Sequence, residues 1–259
     1  MPPDDGLEGT QDFLGQLKAR VAVADPGAVA DLTASLAEGA AAHVTEVLKR
    51  VPGAQLVVQL DEPSLPAVAE GEVPTASGLS RLAAVEEDTL RDGLAQVLAS
   101  IRGYTVVHCC ATTVPFGIIR AAGAGAVSFD LSQLRRGEED AVAELAEAGM
   151  GLLTGAVPAV AEQAAAGTAD AGPRRDGPAV GGSGPGGGSA EARESAERVI
   201  RLWRRLGLSL TTCAQQTVIT PACGLAGSSP AQARAVLTRC REAASMLPEL
   251  IEEAGSESR

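Results

Sequence analysis

The sequence predicts an α/β fold built on a parallel sheet. Short runs rich in Val, Ile and Thr alternate five times with longer stretches of helical apolar spacing, the pattern of βα units. Several of those runs end in residues that carry chemistry. In a parallel α/β fold the carboxyl ends of the strands converge on one face, where active sites are built. The chain is 45% hydrophobic, enough for a sizeable core, but only 2% aromatic, so that core is made of Ala, Val, Leu and Ile.

Residues 1–25 are ambiguous: Phe13, Leu14, Leu17 and Val21 have partial helical spacing and no strand is visible. Asp25-Pro26 reads as a helix start, with Asp as N-cap and Pro at the first position. Apolar spacing then runs from Val29 to Leu48, and Pro52-Gly53 ends the helix. His43 falls on that helix among Ala and Val, as a surface or core-edge residue. Residues 55–60 read as a strand that delivers Asp61-Glu62-Pro63 at its carboxyl end. A Pro/Gly-containing loop over 63–78 has the length of an active-site loop. A helix is expected over about 82–101, with Leu90, Leu94, Val97, Leu98 and Ile101 as its stripe. The acidic run Glu86-Glu87-Asp88 suits a helix N-terminus.

Residues 105–110 form the most distinctive strand, Thr-Val-Val-His-Cys-Cys. Pro115 starts a short helix to Ala122, broken by Gly123 and Gly125. A strand over 126–130 ends in Asp130. The helix over 138–148 is stopped by Gly149, as a C-terminal glycine does. A further strand spans 151–157. Residues 161–190 are mostly Ala, Gly, Pro and Ser, a composition that supports no packed core and reads as a flexible insertion. No strand leads directly into its glycines, which argues against a phosphate cradle. The insertion separates a first part, 26–160, from a last part, 191–259. An amphipathic helix over 190–206 carries the only Trp, Trp203. Residues 217–221 form the fifth strand and run into Cys223-Gly224-Leu225. Ser229-Pro230 caps a final helix to about Glu252.

Charge excludes some classes. The net charge is −12, and no Lys/Arg cluster exceeds a pair, so nucleic-acid binding is not expected. No apolar run reaches the roughly 18 residues of a membrane helix. The N-terminus lacks the basic and apolar regions of a secretory signal. Five cysteines form no disulfide-framework pattern, which fits reduced thiols in the cytoplasm.

The chain has only two histidines and five cysteines, and three of these seven stand side by side at His108-Cys109-Cys110. Alternation along a strand puts His108 and Cys110 on one face and Cys109 on the other. His108, Cys110 and a distant Cys223 are ligand types of an open zinc site, where a fourth position is left for substrate. The competing reading is of buried, inert thiols, since free Cys is often a small core hydrophobe. Cys213 and Cys240 lie outside any strand end and read as ordinary thiols.

Gln59-Leu60-Asp61-Glu62-Pro63-Ser64-Leu65, His108-x-Cys110 and Thr220-Pro221-Ala222-Cys223-Gly224-Leu225, in that order and each at a strand end, resemble the catalytic domain of cobalamin-independent methionine synthase. The resemblance covers roughly residues 26–255, interrupted by the insertion. It implies an eight-stranded βα barrel of the TIM type, shared with uroporphyrinogen decarboxylase. It implies a zinc ion held by His108, Cys110 and Cys223, with a strand-end carboxylate that falls on Asp130. The family residue there is usually Glu, one methylene longer. The Asp-Glu-Pro aspartate, here Asp61 with Glu62 beside it, would hold the amino group of homocysteine. The implied activity is zinc-dependent methyl transfer from methyltetrahydrofolate to homocysteine, giving methionine. A methylated corrinoid protein is the alternative donor. No catalytic residue is implied beyond the metal site.

The match has gaps. The Gly-Ser strand end that helps bind the homocysteine carboxylate has no counterpart. The five strands correspond to the last five of eight, so an incomplete barrel of about five βα units is expected. Either the chain is truncated, or it completes its sheet by pairing with another chain; an open edge at 55–60 would promote aggregation. The second functional reading is a non-catalytic zinc-binding relative that kept the ligands and lost the substrate site.

Overall fold

The computed structural model describes residues 25–75, 78–159 and 187–256. The ambiguous segment before Asp25 and most of the insertion, residues 160–186, lie outside the described residues. Among the described residues, five strands form one sheet in the order β1-β2-β3-β4-β5. They are β1 (Val57–Asp61), β2 (Tyr104–Cys109), β3 (Ala126–Asp130), β4 (Gly151–Val157) and β5 (Thr217–Pro221). The ladders β1–β2 and β4–β5 are parallel. Strictly sequential order distinguishes this sheet from doubly wound sheets, where the order reverses at a switch point. It is the order of a partial α/β-barrel-like fold. Among the described residues no helix is long and apolar enough to cross a membrane.

The described residues group into two compact units. The first runs to Ser128 and includes Glu144–Gly151. It opens with α1 (Pro26–Arg50), whose N-cap Asp25 accepts hydrogen bonds from Gly27 N and Ala28 N. After β1 come a short α2 (Leu65–Ala69) and a single bridge between Pro74 and Arg81, so the 63–78 loop carries some structure of its own. Helix α3 (Glu87–Ser100) starts five residues later than the expected residue 82. The acidic run sets that start, because Glu87 and Asp88 occupy the first turn where the helix dipole favours them. Ala37 and Val44 of α1 pack with Val97 and Ile101 around α3, against Val58 and Leu60 of β1. This covers one face of β1. The other face carries Val57, Gln59 and Asp61, all exposed. Helix α4 (Phe116–Ala121) follows β2, with Pro115 at its N-cap position. Helix α5 (Glu139–Glu147) ends before Gly149, whose φ of +79° suits glycine.

The second unit takes Phe129–Ala143 and the residues from Leu152 on. Helix α6 begins at Gly187, within the stretch assigned to the insertion, and ends at Arg205. Its buried residues Ala192, Ala196, Val199 and Trp203 recur at helical spacing and make the apolar face. The indole Nε1 of Trp203 donates to Thr217 Oγ1 at 3.0 Å, tying α6 to the start of β5. A short α7 (Leu210–Gln216), which no sequence signal announced, leads straight into β5. The last helix, α8 (Pro230–Ser256), packs against α6 and is pinned to it by Arg193–Glu253 and Arg239–Glu191 ion pairs. Ser229 caps it: its Oγ accepts from Gln232 N while Gln232 Oε1 accepts from Ser229 N.

Candidate metal centre

Strand β2 positions two of the ligand-type residues. Its side chains are buried from Thr105 onward, so the strand is fixed from both faces. Cys109 is fully buried, while His108 and the half-buried Cys110 alternate away from it. His108 is also buried, and its Nδ1 lies 2.9 Å from Ser128 Oγ on β3. With Nδ1 held there, Nε2 is the ring nitrogen left for a ligand. A hydrogen bond to the second ring nitrogen is how proteins orient metal-binding histidines.

Strand β5 delivers the third. The thiol of Cys223 is exposed, two residues past the strand's end. The backbone that carries it is held close to β4. Ala222 N donates to Val157 O at 2.8 Å, and the β4–β5 register shifts between Gly155 and Val157, a bulge of the kind found beside functional sites. Gly155 makes this approach feasible. A Cβ there would stand 2.7 Å from Ala222 Cα and 2.9 Å from Phe129 O. Thr220 Oγ1, three residues before Cys223, is buried with no hydrogen-bond partner among the described residues.

Among the described residues His108, Cys110 and Cys223 form a group that could hold a metal ion. One imidazole and two thiolates are donors that suit zinc and other soft divalent metals.

The remaining candidates are placed nearby in different ways. Asp61 pairs in register with His108, and residues paired across a parallel ladder point to the same face. It is exposed, and its Oδ1 accepts from Gln59 Nε2 at 2.7 Å. Glu62 is half-buried, and its backbone N donates to His108 O at 2.8 Å, which extends the β1–β2 ladder past the end of β1. Asp130 is not in the three-residue group. It lies two residues beyond Ser128 on β3, and its Oδ1 accepts from Ser132 N at 2.8 Å and Ser132 Oγ at 2.7 Å. His43 is exposed on α1. Cys213 and Cys240 are buried, and burial pushes both thiols up, Cys213 to about 11.

Sequence reasoning missed Ser128 and Gly155. Ser128 sits two residues before Asp130, a spacing that places both on one face, but a serine inside a strand carries no signal of its own. A glycine near the end of a strand is a recognised sign of close backbone approach, and Gly155 was legible on that ground. The chain matches no protein-family model and no curated protein.

Proposed function

We propose that this chain is a zinc-dependent S-methyltransferase, acting on homocysteine or a similar amino-acid thiol, with its βα units forming part of a TIM-type barrel. The observation that carries the proposal is the imidazole of His108, already oriented by Ser128, beside Cys110 at the end of β2, in a group with Cys223 that could hold a metal ion.

In this reading His108, Cys110 and Cys223 are the ligands. A zinc ion held by them would leave a position for the substrate thiol and make that sulfur a thiolate at neutral pH. The chain's own residues do the rest. Ser128 fixes the His108 ring. Asp61, in register beside His108 and exposed, is the group that receives the substrate ammonium. Glu62, through its backbone bond to His108 O, fixes the end of β1 on which Asp61 stands. Asp130 would serve as a fourth ligand only by its second oxygen or by turning from Ser132, since Oδ1 is engaged there. Methyltetrahydrofolate is the proposed methyl donor, and reduced thiols suit a cytoplasmic setting.

Zinc content of the purified chain tests the reading, measured beside Cys110→Ser and Cys223→Ser. One zinc per chain, lost in both variants, is the expected result, followed by methyl transfer from methyltetrahydrofolate to homocysteine. A metal-free protein from zinc-supplemented cells would overturn the proposal. Stoichiometric zinc without thiol binding would leave a non-catalytic zinc protein.

A further inference from the structure

The second unit holds a cleft of about 510 Å³, within the size range of small-molecule sites. Its lining includes Asp130, Ser132, Gly155, Arg198, Arg201 and Arg205. In a chain whose net charge is −12, three arginines and one aspartate line this cleft.

The arginines recur at i, i+3 and i+7 on α6, so they stand on one face of the helix. That face lies opposite the stripe of Ala192, Ala196, Val199 and Trp203, whose burial anchors the helix. Each guanidinium is steadied by a carboxylate that does not line the cleft. Arg198 pairs with Glu194 at 2.9 Å, Arg201 with Glu197 at 3.6 Å, and Arg205 with Glu139 at 2.8 Å. Such a pair uses one or two of the five N–H donors of an arginine, leaving the others for a ligand. Arginine's planar fork matches carboxylate and phosphate oxygens in pairs. Seven residues of helix span about 10 Å, too far for one small anion to bridge.

We infer that this cleft binds an organic polyanion, a molecule with at least two carboxylate or phosphate groups, through Arg198, Arg201 and Arg205. The inference does not depend on the zinc reading: none of His108, Cys110 and Cys223 lines the cleft, and its arginines are not metal ligands, although Asp130 lies on its wall. Ala222 does line it and immediately precedes Cys223, so an occupant would lie beside the segment that carries that thiol.

Isothermal titration of the full chain with citrate and, separately, with pyrophosphate tests this. Saturable binding of either anion, weakened by added sodium chloride and at least tenfold by Arg201→Gln, is expected. Binding of citrate alone would identify carboxylates as the ligand groups, and of pyrophosphate alone phosphates. Arg204→Gln is the control. Arg204 stands on the same helix, donates to Ala254 O and does not line the cleft, so this variant should bind as the parent does. Absence of saturable binding at millimolar anion would overturn the inference. Equal weakening by Arg204→Gln and Arg201→Gln would overturn it too, by showing attraction to the helix as a whole.

Discussion

His108 Nδ1 and Ser128 Oγ stand 2.9 Å apart, and both residues are buried. They are twenty positions apart in sequence and lie on neighbouring strands of the sheet. The contact selects which ring nitrogen is available to a ligand and holds the ring against rotation.

Ser128→Ala removes that contact and leaves the two thiols untouched. Loss of such an outer partner typically costs about 10–100-fold in metal affinity. Zinc competition against a chromogenic chelator should show a drop in that range, with the stoichiometry kept at one. The buried Nδ1 loses its partner, so stability should also fall by about 1–3 kcal/mol in chemical denaturation. Unchanged zinc affinity would remove Ser128 from the site.

Gly155→Ala tests how Cys223 is placed. The new Cβ would meet backbone atoms of Ala222 and Phe129 at 2.7 and 2.9 Å, and backbone cannot swing aside as a side chain does. Overpacking of this kind costs roughly 1–3 kcal/mol. The segment carrying Cys223 must shift, so zinc binding should weaken together with stability. Gly39→Ala is the contrast: nothing lies within 4 Å of its added Cβ, and it sits inside α1. That variant should gain about 0.5–1 kcal/mol and keep its zinc affinity.

Much of this architecture was legible in the sequence because parallel strands announce themselves as short β-branched runs. The strands over 126–130, 151–157 and 217–221 match the observed bounds, and β1 is displaced by one or two residues. The pairing of His108 with Cys110 followed from alternation alone. What stayed hidden depends on contacts between distant segments. Ser128 gains meaning only when β2 lies beside β3. The register that sets Asp61 beside His108 is a property of two strands, and neither strand alone encodes it. Helix α7 is seven residues rich in Thr and Gln, with no apolar stripe to mark it. The start of α3 was misplaced because apolar spacing continues upstream of the acidic residues that begin the helix.

Cys213 makes stability depend on alkaline pH. It is fully buried, and burial pushes its thiol from an ordinary value of 9.0 to about 11, opposed in part by a contact with Thr217. A thiol raised in the folded state keeps its proton longer than in the unfolded chain. The stabilisation from the neutral thiol is therefore complete below pH 9 and is lost as pH rises towards 11. It amounts to on the order of 2 kcal/mol. Urea midpoints of the parent and Cys213→Ala should converge between pH 8 and pH 11, at about the spacing this shift sets. A constant gap across that range would show that the thiol does not ionise differently on unfolding.

Asp61 separates a working methyltransferase from a zinc protein that has lost its substrate. Its carboxylate stands in register with His108 on the exposed face of β1, and a zinc scaffold has no use for a charge there. An ammonium group bound by a carboxylate gains a charge-assisted hydrogen bond worth about 1.5–3 kcal/mol. Asp61→Asn keeps the shape and removes the charge, so homocysteine should bind about 10–100-fold more weakly. Zinc content should not change, because Asp61 is not one of the three grouped donors. The des-amino analogue 4-mercaptobutyrate supplies the control. It has the thiol and the carboxylate but no ammonium, so parent and variant should bind it alike. If Asp61→Asn weakened both thiols equally, the residue would be supporting the metal centre. If it weakened neither, the site would lack the amino-acid contact on which the enzyme reading depends.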